Sequence, residues 1–288
     1  IFRDMVCSTR LEDCRACPLV SQCAFPRYFM TAPLPGQPLQ KLQDVPRPYV
    51  FRVDPPSQGH RTVFADELLP FGLLLFGSGI EAFPYFLNSF RELAQRGLGK
   101  KRGGASLQRV DLLQTSSTVP IYSRERPVIH LPTTVDSWSR LLNRLSSCPD
   151  RRELRLRFLT PVRFKVDSQW HEPEQELTFA KYMRVLLRRL SSVWGFAGDF
   201  RLDWDFASIL QRAENVRTTF QSLRRLPWQR HSSRTDHWTE LGGLVGEVCY
   251  QGNLDEFAPL VEMGSLVHLG KNTTFGLGHY QATSRHLS

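Results

Sequence analysis

An α+β chain built from two βαββαβ units is what this 288-residue sequence predicts, and three observations carry the prediction. Leu154, Leu156, Phe158, Val162 and Phe164 alternate with Arg155, Arg157, Arg163 and Lys165, the period of a strand with one buried and one basic face. Phe179, Tyr182, Met183, Leu186, Leu187, Leu190, Val193 and Trp194 then recur at helical spacing up to Gly195. Finally, an apolar helix, a glycine-rich loop carrying lysine and a strand follow one another twice, once over 80–110 and again over 255–282.

Taken in order, residues 1–117 are expected to form the first unit, with a cysteine-rich insertion at 7–23 and a proline-rich loop at 30–56. Prolines at 33, 35, 38, 46, 48, 55 and 56 exclude regular helix there. Residues 62–76 supply apolar strand material, 80–96 a helix with Ile80, Phe83, Leu87, Phe90 and Ala94 on one side, and 106–113 a strand. Residues 118–150, rich in Ser, Thr and Pro, form the connection to the second unit, 151–288. Within it the expected order is strand 154–164, helix 178–195, an irregular segment with a short helix, strands near 227–232 and 241–250, helix 255–263 and strand 273–282. That is the ferredoxin-like, or RRM-like, motif. Pro161 marks a break or an edge position in its first strand.

The net charge of +9 and a pI near 9.5 favour a polyanionic partner, because each phosphate neutralised releases counterions. The distribution sharpens the point. No acid lies between Glu214 and Asp236, while Arg217, Arg224, Arg225, Arg230 and Arg234 are interleaved with Phe220 and Trp228, a pattern of phosphate contacts beside stacking rings. Lys100, Lys101 and Arg102 sit in the first glycine-rich loop, GLGKKRGG. In the second loop, 264–281, Gly270, Gly276 and Gly278 surround Lys271, Asn272 and Thr273. Such backbone approaches a ligand where a Cβ would collide. It is not a nucleotide-binding P-loop, because the G-x4-G-K-[ST] spacing is absent and 275–281 reads as a strand.

The run LGGLVGEVCYQG at 241–252 and TTFGLGHY at 273–280, with the spacer between them, closely resemble the C-terminal domain of the CRISPR precursor-RNA processing endoribonucleases, members of the RAMP superfamily. LRFLTPVRFK at 156–165 resembles the first strand of that family's second domain, and CRACPLVSQCAFPRYF at 14–29 a cysteine-bearing insertion in some members. The resemblance implies tandem ferredoxin-like domains, with IFRDMVC as the end of a first helix whose preceding strand is missing. It implies cleavage of CRISPR repeat RNA by 2′-hydroxyl attack without a catalytic cofactor, leaving a 2′,3′-cyclic phosphate and a 5′-hydroxyl and releasing guide RNAs that stay bound. Its setting would be a prokaryotic cytoplasm, with other CRISPR-associated proteins as partners and no membrane. No apolar run approaches the roughly 20 residues a span needs. The alternative within the same superfamily is a non-catalytic RNA-binding subunit of an effector or adaptation complex.

Such chemistry needs a base, an acid and positive charge at the phosphorane-like transition state. Many members take a histidine from the first helix or the loop after it, but here none precedes His60. Among His60, His130, His171, His231, His237, His268, His279 and His286, the first candidate base is His231, in RHSSR between Arg230 and Arg234, and the second is His279. His268, within LVHLG, reads as a hydrogen-bonded core residue. Lys271 is the expected phosphate contact and charge stabiliser, with Arg230, Arg234, Gly270, Asn272, Thr273, Gly276, Gly278, Lys100, Lys101 and Arg102 completing the RNA-binding set.

Cys7, Cys14, Cys17 and Cys23, spaced C-x6-C-x2-C-x5-C, are candidate metal ligands. A structural zinc is the first reading, reduced, unliganded thiols the second and an iron–sulfur cluster the third, although the spacing also resembles the iron–sulfur loop of some DNA-repair glycosylases.

Overall fold

The computed structural model describes residues 1–30, 46–53, 62–99, 101–114, 117–131, 151–197, 204–232 and 236–286. Lys100, Arg234, His60 and most of the connection over 132–150 lie outside the described residues. The chain divides into two compact units: 1–32 with 78–147, and 33–77 with 148–288. No described helix is long and apolar enough to cross a membrane.

In the second unit, strand β5 (Arg151–Val162) is followed by helix α3 (Phe179–Ala197), the short helix α4 (Phe206–Ala213), β8 (Arg217–Leu226), β11 (Gly243–Gln251), helix α5 (Ala258–Val267) and β12 (Tyr280–His286). The strands form one antiparallel sheet in the order β12-β5-β11-β8, which is the βαββαβ arrangement expected. The alternation read in the sequence sets the faces of β5: Leu154, Leu156 and Phe158 are buried, while Arg155 and Arg157 are exposed. Against that buried face lie Phe179, Tyr182, Met183, Leu186 and Leu190 of α3, with Leu260, Val261 and Met263 of α5. Three buried tyrosines tie the layers together. The Tyr182 hydroxyl bonds that of Tyr280 at 2.8 Å, Tyr280 donates to the Val261 carbonyl at 2.6 Å, and Tyr250 donates to the Leu177 carbonyl at 2.9 Å. Burial pushes all three phenols up, so each stays neutral and keeps its donor.

Two elements differ from the expected order. The second strand of the motif is β8, starting at Arg217, ten residues before the strand expected near 227–232. Its strand character was hidden by the lack of a clean apolar period, since most of its side chains are exposed. Residues 229–240 instead make a separate ribbon, β9 (Gln229–Ser232) against β10 (His237–Glu240). The final strand begins at Tyr280 rather than 273, because 273–275 is a 3₁₀ turn inside the glycine-rich loop.

The proline-rich stretch is not loop throughout. Tyr49–Arg52 is a strand, β1, paired with β2 (Gly72–Leu75), and Tyr49 and Val50 are buried. This hairpin belongs to the second compact unit and packs against the 3₁₀ turn at 273–275.

The first unit holds α1 (Phe2–Val6), α2 (Phe83–Arg96) and a hairpin, β3 (Arg109–Leu113) with β4 (Thr118–Ser123). Phe2 joins α1 to α2, its ring 4.4 Å from that of Phe29 and 5.8 Å from that of Phe86. Gly97, at φ 91°, ends α2 in a conformation an L side chain rarely adopts.

Gly264, inside α5, tests the packing. Helix propensity alone predicts that Gly264→Ala stabilises by about 1 kcal/mol. The added Cβ would meet the Tyr280 hydroxyl and Leu186 Cδ1, and that hydroxyl is fixed by two hydrogen bonds. We expect Gly264→Ala to destabilise by about 1–3 kcal/mol, read as a lowered urea midpoint; a raised midpoint would refute this packing.

Candidate nucleic-acid interface

The glycine-rich loop is laid against the end of β5 backbone to backbone. Leu269 N donates to the Gly278 carbonyl at 2.9 Å, Gly278 N to Pro161 O at 2.9 Å, and Lys271 N to Arg163 O at 2.8 Å. Thr160 Oγ1 donates to the Gly276 carbonyl at 2.9 Å and accepts from His279 N at 2.8 Å. The chain reverses through positive φ at Gly270 (82°), Asn272 (60°), Gly276 (84°) and Gly278 (73°). A Cβ at Gly270 would strike the Arg163 carbonyl, and one at Gly278 the Leu269 carbonyl. Close approach therefore dictates glycine here.

A half-buried cation fixes the other side of the loop. Arg189 of α3 donates to the Val267 carbonyl at the end of α5, through Nη2 at 2.8 Å and Nε at 3.2 Å, and to Thr273 Oγ1 at 2.9 Å. A guanidinium at a helix C-terminus meets the negative end of the dipole. Burial lowers its pKa only to about 10, so it remains charged.

Lys271 points from this loop toward Trp170. Its Nζ lies 5.3 Å from the indole centroid, Lys165 Nζ at 5.0 Å and Arg163 Cζ at 4.0 Å. Trp170 is placed by a hairpin, β6 (Lys165–Val166) with β7 (Gln169–Trp170), turned by Asp167 and Ser168 at φ 47° and 68°. The sequence reading missed Trp170. Its signal was a two-residue turn between short polar strands, which the following helix overshadowed. Phe275, exposed at the loop tip, takes Arg230 of β9 over its ring at 5.4 Å.

His231 is not beside Arg230 in space. Neighbours on a strand point to opposite faces: Arg230 turns to the loop, while the His231 ring packs on Trp238 of β10 at 5.0 Å. His231 Nε2 lies 2.9 Å from Asp236 Oδ1. With Nε2–H donated to that carboxylate, Nδ1 keeps its lone pair and can accept a proton. Phe220 and Trp228, expected as stacking rings, are exposed.

His279, the second candidate base, is only 2% exposed and stacks on His268 at 4.8 Å. Burial keeps it from reaching a 2′-hydroxyl, and its backbone, not its ring, does the visible work, by bonding Thr160 and Leu159. His268, 1% exposed, has Nδ1 3.2 Å from the Leu277 carbonyl; burial, then the His279 ring, bring its pKa down to about 3.

In the first unit, Lys101 and Arg102 are exposed on a tight turn closed by Leu98 N to Gly103 O at 2.7 Å and Gly103 N to Leu98 O at 2.9 Å. Among the described residues no three or more His, Cys, Asp or Glu are grouped to hold a metal ion, so the expected zinc is not supported; the four cysteines border one cavity of about 340 Å³.

Residues 156–280, which contain most of β5, all of β8 and β11, the loop and the Trp170 cluster, match the model for CRISPR-associated endoribonuclease Cas6. Over this stretch the chain is similar to the Cas6 family. Residues 1–134 match a second model, described as an N-terminal domain. Two solved structures similar to this chain are a product complex of a Thermus thermophilus Cas6 and a partial Cas6-RT-Cas1–Cas2 complex. The first is 19% identical over 85% of this chain and 86% of that one, with a TM-score of 0.50. The second is 12% identical over 83% of this chain and 40% of that one, with a TM-score of 0.54. These likenesses show the fold, the α+β tandem ferredoxin-like arrangement. No curated protein matches.

His268 gives this loop a pH signature. His268 is held neutral, its pKa below that of the unfolded chain, so its contribution is complete above about 6.5 and is lost as pH falls toward 3. Between pH 7 and pH 5 the wild type should lose about 2 kcal/mol more stability than His268→Gln in denaturant titrations. Equal losses would refute a depressed His268.

Proposed function

We propose that this chain is a metal-independent endoribonuclease that cuts CRISPR repeat RNA and retains the product. The observation that carries the reading is the gathering of Arg163, Lys165 and Lys271 around Trp170. Three cations about one ring repel one another, an arrangement that an arriving phosphate chain relieves while a base stacks on nearby aromatic surface. The backbone-pinned loop holds Lys271 in place beforehand, so little is lost in ordering it on binding. The RNA-bound relative supports an RNA partner here, and the Cas6-RT-Cas1–Cas2 relative supports association with other CRISPR proteins.

In the reaction, a base takes the proton of the 2′-hydroxyl, the 2′-oxygen attacks phosphorus, and the bond from phosphorus to the 5′-oxygen breaks. The products are a 2′,3′-cyclic phosphate and a 5′-hydroxyl. His231, oriented by Asp236, is the candidate base, and Lys271 and Arg230 are the cations that would meet the charge on the phosphorane. None of these roles calls on a metal.

A second reading, a non-catalytic RAMP-type subunit that packs guide RNA, is favoured by one observation: the pleat of β9 turns His231 away from Arg230 and the loop. Labelled repeat RNA incubated with the full chain in EDTA separates the two. One cut, abolished by a 2′-deoxy substitution at the cleaved position, is expected; RNA that is bound but intact would favour the second reading. His231→Ala should slow cleavage by about 10²–10⁴-fold if that ring is the base. Lys271→Ala should weaken binding and lower the slope of log affinity against log salt by about one; unchanged binding would remove Lys271 from the interface.

A further inference from the structure

Cys7, Cys14, Cys17 and Cys23 all line one cavity of the first unit, about 340 Å³, walled also by Phe25 and Tyr85. The described cysteines are all free thiols. Each of the four has its own backbone anchor. Cys7 caps α1, its N–H donating to Arg3 O at 2.9 Å. Cys14 opens a 3₁₀ turn that Cys17 closes at 3.3 Å, and Cys23 N donates to Leu19 O at 2.9 Å. Two sulfurs already have hydrogen-bond partners from the chain: Arg10 N donates to Cys7 Sγ at 3.3 Å, and Thr9 Oγ1 lies 3.4 Å from Cys17 Sγ. Arg3 pins the intervening loop by donating to the carbonyls of Leu11 and Glu12, and it also borders the cavity.

We propose that these four cysteines bind a [4Fe–4S] cluster that fastens residues 7–23. A single zinc draws four sulfurs to about 3.8 Å of one another, given Zn–S bonds of about 2.3 Å. The described residues contain no such grouping. In a cubane cluster each thiolate binds a different iron at a separate corner, so the sulfurs stand apart around a body of finite size, which is what four cysteines spread over one roomy cavity provide. Hydrogen bonds to the ligating sulfurs and an arginine at the rim suit the net negative charge of a four-thiolate cluster. On assembly each thiol releases one proton to solvent and forms one Fe–S bond; two ferrous ions, two ferric ions and four sulfides supplied from outside complete the cluster, so no electron is gained or lost and no cysteine is oxidised. With all four corners held by protein, the cluster is structural, and the inference stands apart from the RNA chemistry.

The test is metal content of the full chain, purified without oxygen and reconstituted with equal ferrous and ferric iron and with sulfide. About four iron and four acid-labile sulfide per chain are expected, with broad visible absorption that bleaches on dithionite reduction. Cys14→Ser combined with Cys17→Ser should lose that absorption, while Cys249→Ser, on β11 away from the cavity, should keep it. Zinc without iron, a two-iron stoichiometry, or no iron after reconstitution would overturn the proposal. The wild-type stoichiometry decides even if the double variant fails to fold.

Discussion

The second unit depends on one close contact, the backbone of residues 268–279 lying directly on the backbone at the end of β5. Main-chain groups can approach that closely only where no Cβ intervenes, and the reversals need left-handed backbone at Gly270, Gly276 and Gly278. Asn272 supplies the fourth such position, a residue type that tolerates it. The contact is over-determined: Thr160 bonds the loop on both sides of Gly278, Arg189 clasps Thr273 and the end of α5 from below, and β1 backs Gly276 through the Phe51 carbonyl. A loop held at so many points presents Lys271 as a fixed charge rather than a mobile one.

That fixation organises the charges around it. Lys271 reaches Trp170 from the loop, Lys165 reaches it from across the β6–β7 hairpin, and Arg163 comes from the residue that also accepts Lys271 N. Aromatic faces partly offset the mutual repulsion of three cations, but a cation–π contact is worth only about 0.5–2 kcal/mol. Elsewhere the arginines of the basic run have protein partners: Arg225 pairs with Glu172 at 2.8 Å, and Arg217 bonds Gln251. Exposed pairs of that kind are weak and yield readily to a phosphate. The cations around Trp170 are gathered on one ring, whereas Arg217 and Arg225 along β8 each have a protein partner.

The histidines divide in the same physical way. His268 and His279 are stacked in the interior beneath the loop, where desolvation opposes protonation of His268. His231 is on an exposed ribbon beside a carboxylate, where a ring can exchange protons with a ligand. Exposure, not proximity in sequence to arginine, separates the two kinds.

Much of this was legible in the sequence. The alternation along β5, the apolar stripe of α3 and the glycine spacing of the final loop fixed a ferredoxin-like unit, because each reports a local period or a local backbone demand. Lys271 could be singled out for the same reason, being a lone cation among obligatory glycines. What the sequence could not supply depends on residues far apart in the chain. β8 carries no apolar period and becomes a strand only by pairing with β11. Tyr49–Arg52 looked like part of a proline-rich loop and is ordered by β2 and the distant Gly276 turn. Trp170 gains its meaning from Lys271, a hundred positions away, and His231 lost its arginine neighbour to the two-residue alternation of a strand whose presence the sequence had suggested but whose faces only the ribbon's packing defined. Local conformational preference is written residue by residue, whereas burial, charge clustering and reach are properties of the assembled fold, so the sequence determined the sheet, the helices and the glycine turn, and tertiary structure decided which side chains meet there.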